Sequence, residues 1–334
     1  MRRLNKIIQH CKRESSYLCK ETNNYPELNE IYKQESSFNA VKILNFNDCQ
    51  RLFPMANAID IQADAFISTY LKETVVPERI MLTMPGMSIN DITLFKPAVT
   101  ADCLAQKIVS VRNDNNRLYG LPNLTGCIIL LNKDNGLPIC LMDCELITGR
   151  RTAAGSGLAT DLFAKKDSKV LTVFGSGFQA YEHVRTVYTV RGNSISTINI
   201  INRTLNKCIE LRQKLINECG IRKDININFV DLKTFRNDKK YDVMISDADI
   251  ICTCTAGMEY NMDSDNDTSL DSRLFDGKLL KNGVHINSIG TYTKHLREIG
   301  VDTIERSYIF VDSSHAFDCG DLYQIKKFRD VDTR

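Results

Sequence analysis

Six residues, Gly175-Ser176-Gly177-Phe178-Gln179-Ala180, constrain what this chain can fold into more than any others. They follow the apolar run KVLTVF at residues 169–174. A continuous apolar run of that length reads as a strand buried on both faces. The residues after them, 180–191, carry Val184, Val187 and Tyr188 at helical spacing and stop at Gly192. Gly175 lets the chain turn tightly out of the strand, Gly177 lets a phosphate approach the backbone, and Ala180 lets the helix pack close to the sheet. The helix start then offers unpaired N–H groups and a positive dipole end to a pyrophosphate. A tight strand-to-helix turn with no ligand has similar needs, and the downstream rhythm favours the dinucleotide. Residues 196–201, 225–230, 249–255, 284–289 and 308–311 read as further strands, and 205–219 as a helix ended by Gly220. That alternation implies an α/β fold, a Rossmann-type doubly wound parallel sheet.

The end of the second strand bears on which dinucleotide is held. An NAD site places Asp or Glu there, on the ribose 2′-hydroxyl. Here the strand ends Ile201-Asn202-Arg203-Thr204, with no carboxylate. Arg203 can pair with a 2′-phosphate, and Asn202 and Thr204 can donate hydrogen bonds to it. The local chemistry favours NADP(H), with NAD(H) as the alternative. The candidate cofactor set is Gly175, Gly177, Phe178, Gln179, Asn202, Arg203 and Thr204, with Thr255 and Gly290 at the ends of later strands.

Upstream of residue 150 the pattern differs. Residues 41–46 suggest a short strand, with Asn47 and Asp48 as turn or cap residues, and 56–70 a helix. Residues 74–84, 107–111, 126–131 and 137–142 read as extended segments, the last two joined by the turn Asp134-Asn135-Gly136. This half is β-rich α+β. Residues 152–164 form a small-residue helix. At 334 residues the chain suits two domains. The charge balance, 43 basic against 41 acidic residues, gives no electrostatic reason to bind nucleic acid or acidic membranes. No apolar stretch approaches the ~20 residues that span a bilayer. The 12 cysteines include no CxxC pair, so they read as reduced, mostly buried thiols rather than a metal or disulfide framework. The acidic loop NMDSDND at 261–267 lacks the glycine and final glutamate of an EF-hand loop, so no metal site is expected. Residues 1–38 form a polar, basic extension whose first 20 residues suit a short amphipathic helix. A terminal helix in solvent implies a cytoplasmic protein; a presequence implies a mitochondrial one.

Taken in order, several blocks resemble the ornithine cyclodeaminase/mu-crystallin family. They are Gly136-Leu137-Pro138, Thr148-Gly149-Arg150-Arg151-Thr152-Ala153-Ala154, the GxGxxA turn with Tyr181 and His183, and Asn202-Arg203-Thr204. The later ones are residues 281–290 (KNGVHINSIG), Arg297-Glu298, Val311-Asp312-Ser313 and Gly320-Asp321-Leu322. The resemblance covers about residues 40–323. It implies a homodimer, each subunit with a substrate-binding and dimerisation domain over residues 39–158, joined by 314–334, and a dinucleotide-binding domain over 159–313. It further implies a small amino, imino or keto acid as substrate. By position, Arg79 and Arg151 match the carboxylate-binding arginines and Lys107 the active-site lysine. Asn123 stands where the family has a small hydroxyl residue. Family members continue well past the Gly-Asp-Leu block, whereas this chain runs about a dozen residues beyond it.

The residue chemistry agrees with those roles. Two arginine forks can fix a carboxylate bidentately, and a partly desolvated lysine can supply a proton or a positive charge to the reacting nitrogen or oxygen. Ornithine cyclodeaminases carry an aspartate where this chain has Tyr292, which removes the group that handles a substrate amine. The expectation is therefore an NAD(P)H-dependent oxidoreductase acting on a small imino or keto acid, like a ketimine reductase or an amino-acid dehydrogenase. An ornithine cyclodeaminase-type ammonia lyase and a non-catalytic NADP-binding protein are the alternatives.

Overall fold

The computed structural model describes residues 41–86, 91–231, 239–255, 257–259, 274–291, 296–318 and 320–323. The basic extension, the acidic loop at 261–267 and Tyr292 lie outside the described residues. The chain divides between Arg151 and Thr152 into two compact units.

The first unit begins with β1 (Lys42–Leu44), α1 (Phe46–Leu52) and α2 (Met55–Tyr70). The cap of α1 is Asn45, which accepts from the Asp48 N–H while Asp48 accepts from the Asn45 N–H. This reciprocal capping box satisfies two donors of the helix start, so Asp48 serves as its second half and Asn47 is already helical. Then come β2 (Ile80–Thr83), β3 (Ile92–Val99), β4 (Leu104–Val111), the short helix α3 (Asn115–Tyr119), β5 (Leu124–Leu131) and β6 (Pro138–Asp143). The strands make one sheet in the order β1-β6-β5-β4-β3-β2. All pairs are antiparallel except β1 with β6. Strand β3 carries no clear strand signal in the sequence, because Lys96 and Pro97 interrupt its apolar run and proline removes a ladder donor. Leu94, Val109 and Cys144 form a small core against the sheet.

Helix α4 (Glu145–Phe163) starts seven residues before the expected 152, and the division between the units falls inside it. The cause is Asp143, whose carboxylate accepts from the N–H groups of Glu145 and Leu146. Arg150 therefore sits within the helix. Only 1% exposed, it donates to the carbonyls of Gln50 and Phe53 at the end of α1. A desolvated guanidinium is tolerated there because helix-end carbonyls lack intrahelical donors.

The second unit continues with β7 (Val170–Phe174), α5 (Phe178–Arg191), β8 (Thr197–Asn202), α6 (Leu205–Glu218), β9 (Asn226–Asp231) and α7 (Lys239–Ser246). After these come β10 (Ile250–Thr253), β11 (Met258–Glu259), β12 (His285–Ser288), β13 (Leu296–Arg297) and α8 (Val301–Glu305). Five strands form a wholly parallel sheet in the order β12-β10-β7-β8-β9. The chain runs outward from β7 through β8 to β9, then returns to the other side of β7, so the switch point lies between β7 and β10. Apolar cores cover both faces. Leu171, Val173, Val184 and Ile200 belong to one, and Phe174, Tyr241, Ile245 and Ile251 to the other. A polar rung crosses the sheet: Asn228 donates to Asn199, Asn199 to Thr172, and the Thr172 hydroxyl to the Met244 carbonyl.

One expected strand is absent. Residues 308–311 are not in a strand, and Tyr308 is 95% exposed. The Phe310 ring stacks on Phe163 at 3.9 Å between centroids. An apolar, β-branched segment becomes a strand only where a sheet edge and a covered face receive it. Residues 320–323 were expected to join the first domain, but the Asp321 carboxylate accepts from the Glu298 and Ile299 N–H groups of the second unit. No described helix is long and apolar enough to cross a membrane.

Candidate active site

In the second unit, the glycine turn sits at the carboxyl end of β7, on the switch point. Gly175 has φ +103°, and a Cβ there would lie 2.7 Å from the carbonyl oxygen of Cys254, just after β10. A residue with a side chain cannot occupy that position without moving the β10 strand end. Gly177 is the N-cap of α5, with no side chain capping the helix, and a Cβ added to it would meet nothing within 4 Å. The space over Gly177 is thus open and the first N–H groups of α5 face it. Ala180 is fully buried, which seats the helix on the sheet. The Gln179 side-chain oxygen is buried and has no hydrogen-bond partner among the described residues. A helix start with no side-chain cap, an open approach and an orphaned acceptor fit a bound dinucleotide.

His183, one turn further on, is not a reactive group. Its ring contacts the Ser156 hydroxyl at 3.0 Å and the Gln179 carbonyl at 2.7 Å. Burial lowers its pKa to about 4, so it stays neutral and fastens α5. At the end of β8, the Asn202 amide donates to the Thr204 carbonyl and folds the turn. Arg203 is exposed beside it, and Thr204 is the N-cap of α6. The neighbouring strand β9 ends in Asp231, in register with Asn202, a carboxylate that linear reading did not bring to this turn.

Thr255 and Gly290 meet through a residue not singled out as a site residue from the sequence. The buried Glu298 carboxylate accepts from the hydroxyls of Thr253 and Thr255, each at 2.7 Å, and from the Gly290 N–H at 2.8 Å. A Cβ at Gly290 would collide with the Thr255 carbonyl and with Glu298. Burial lifts the Glu298 pKa to about 7, against the pull of the two threonine hydroxyls. Asp321 braces the same loop, accepting from the Glu298 N–H at 2.8 Å and the Ser288 hydroxyl at 3.0 Å. In the sequence, Glu298 stands out only through the Arg297-Glu298 block, and nothing there ties it to Thr255, Gly290 or Asp321.

The first unit holds a separate constellation. Lys107, on β4, donates to the Thr148 hydroxyl at 2.5 Å. Its pKa falls from 10.5 to about 7, through burial first and then the charges of Arg151 and Lys96, with the Cys144 thiol pulling the other way. Lys96, on β3, is the register partner of Lys107. Burial, Arg151 and Arg79 lower its pKa to about 8. The structure therefore gathers Arg79, Lys107 and Arg151 and adds Lys96 to them. It does not bring Asn123 there. Asn123 is exposed in the turn before β5, and its side-chain oxygen accepts from the Asn116 N–H. It is five residues along β5 from Ile128, the partner of Lys107, or roughly 16 Å at ~3.3 Å per residue. Thr148 lies in the Thr148–Ala154 block, and only the fold shows that it anchors the lysine. Among the described residues no group of three or more His, Cys, Asp or Glu could hold a metal ion, and the described cysteines are free thiols.

The sequence model of the ornithine cyclodeaminase/mu-crystallin family matches residues 47–331. An uncharacterized cyclodeaminase of Dictyostelium discoideum is 30% identical over 288 residues, covering 81% of this chain and 76% of its own length. A Δ1-pyrroline-2-carboxylate reductase of Colwellia psychrerythraea is 30% identical over 240 residues, covering 71% and 68%. Among solved structures, a Thermococcus litoralis Δ1-pyrroline-2-carboxylate reductase in complex with NADH and L-proline aligns with a TM-score of 0.72 at 26% identity. That alignment covers 86% of this chain and 81% of the other.

Proposed function

Because the chain belongs to the ornithine cyclodeaminase/mu-crystallin family, we propose that it is a nicotinamide-dependent reductase of a small imino or keto acid. The observation that carries this reading is Lys107, a lysine with its pKa near 7, anchored on a hydroxyl and set close to Arg151 and Lys96. When bound, the dinucleotide supplies a hydride to the carbon of the C=N or C=O bond. Arg79 and Arg151 hold the substrate carboxylate and so fix which carbon is presented. Lys107 in its ammonium form donates a proton to the nitrogen or oxygen that receives the electron pair of the double bond. The Thr148 hydroxyl holds that ammonium in one orientation.

On the cofactor side, the first N–H groups of α5 bind the pyrophosphate, and the Glu298 clamp holds Thr255 and Gly290 in place around it. Exposed Arg203 supports NADP(H) over NAD(H), since it can pair with a 2′-phosphate that NAD(H) lacks. Thermal unfolding with equal concentrations of NADPH and NADH tests this. A ligand at 100 times its Kd adds ~2.7 kcal/mol of stability, a shift of a few degrees. The larger shift is expected with NADPH, and Arg203→Ala should erase the difference. A larger shift with NADH in the unaltered protein would overturn the NADP assignment.

The first unit also supports a homodimer. Edge strand β2 is exposed on both faces, with Ile80 at 60% and Met81 at 59%, and Val75 and Val76 before it are exposed too. An open apolar edge of this kind is an interaction surface.

A further inference from the structure

Lys96 and Lys107 are direct partners across β3 and β4, so their side chains leave the same face of the sheet. Like charges in that relation destabilise a sheet unless something between them compensates. Lys107 has a fixed partner in Thr148. Lys96 has none: among the described residues it makes no hydrogen bond or ion pair, and the charges acting on it are the cations Arg151 and Arg79. Burial comes first among the causes that weaken its hold on its proton, so solvent does not fully compensate the charge either. A simple imino acid presents one carboxylate, which two arginines satisfy, and one nitrogen, which Lys107 serves. That leaves a partly buried fourth cation with no task.

We infer that Lys96 recognises a second acidic group on the substrate, which makes the substrate class imino or keto dicarboxylates. This rests on the reductase reading above and narrows it. Lys96 would meet the second carboxylate, the one not attached to the reacting carbon, while Lys107 remains the proton donor. The reduction itself is unchanged: hydride to carbon, the double-bond pair to nitrogen, a proton from Lys107. For an acyclic substrate, ammonia condenses with the keto acid, releasing water, to form the imine.

The test compares imines formed with ammonium from oxaloacetate or 2-oxoglutarate against that formed from pyruvate, in the unaltered protein, Lys96→Met and Lys96→Arg. The dicarboxylate is expected to have the higher kcat/KM, and Lys96→Met should lower the dicarboxylate-to-monocarboxylate ratio by about 100-fold, the scale of a lost charge-assisted contact in a desolvated site. Lys96→Arg keeps the charge and should keep most of the ratio. A preference for pyruvate in the unaltered protein, or a ratio unmoved by Lys96→Met, overturns the inference. A binding arm separates this from failure of the reductase reading. If no imine is reduced, that reading falls, while a midpoint raised more by succinate than by propionate, and levelled in Lys96→Met, upholds Lys96 as the recognition group. Equal shifts in both proteins overturn it.

Discussion

At the scale of single residues, Lys107 carries the heaviest assignment. Its ordinary pKa of 10.5 is brought to about 7 by burial and by the cations around it. Folding therefore disfavours its protonated form. The stability it withholds grows as pH falls from 10.5 toward 7, and is fully withheld below that. Reduction needs the ammonium form, so kcat/KM should decline as pH rises through about 7. Lys107→Met should remove that limb and cost roughly 100-fold or more in rate, the usual contribution of a positioned proton donor. The same variant should unfold at a higher temperature than the unaltered protein at neutral pH, since it no longer buries a charge. A pH–rate profile and a melting curve read both effects. A rate loss without the change of pH dependence would make Lys107 a structural residue. Lys107 could be chosen from the sequence because its block resembles a family. Lys96 could not, because its place opposite Lys107 is a matter of strand register, which no linear spacing near residue 96 displays.

At the scale of elements, the β7–turn–α5 unit was readable in advance because each residue has one steric task. The structure separates two of those tasks. At Gly175 the backbone has φ +103° and the added Cβ would strike Cys254, whereas at Gly177 the added Cβ would meet open space. Gly175→Ala should then lower the stability of the second unit by roughly 1–3 kcal/mol through backbone strain and displacement of the β10 end. Gly177→Ala should leave the melting temperature of the unliganded protein nearly unchanged and abolish its rise with NADPH. Equal destabilisation by both would mean that the turn is only a packing device. Elsewhere the sequence misled where local pattern and tertiary context diverge. Strand β3 hid behind Lys96 and Pro97, α4 began early because Asp143 caps it, and residues 308–311 have strand-like composition without a strand. The Glu298 clamp joins the ends of β10 and β12 through a residue some 40 positions from Thr255, a link that only the folded sheet makes visible.

At the scale of the whole molecule, the proposed reading divides its chemistry between the two units: a cationic cluster for an acid substrate in one, a dinucleotide cradle in the other. The exposed β2 edge is the surface on which the proposed dimer is tested. If it is the dimer surface, Met81→Lys should convert a dimer into a monomer in size-exclusion chromatography with light scattering, while far-UV circular dichroism stays the same. A dimer that survives this change would place the interface elsewhere. The central claim is imine reduction, and its most direct measurement is the initial rate of NADPH and NADH oxidation with a panel of imino and keto acids, Δ1-pyrroline-2-carboxylate and the ammonium imines among them. The expected result is substrate-dependent oxidation that Lys107→Met reduces by about 100-fold. Binding of either cofactor with no oxidation on any member of the panel would contradict the account and leave a protein that holds dinucleotides without reducing anything.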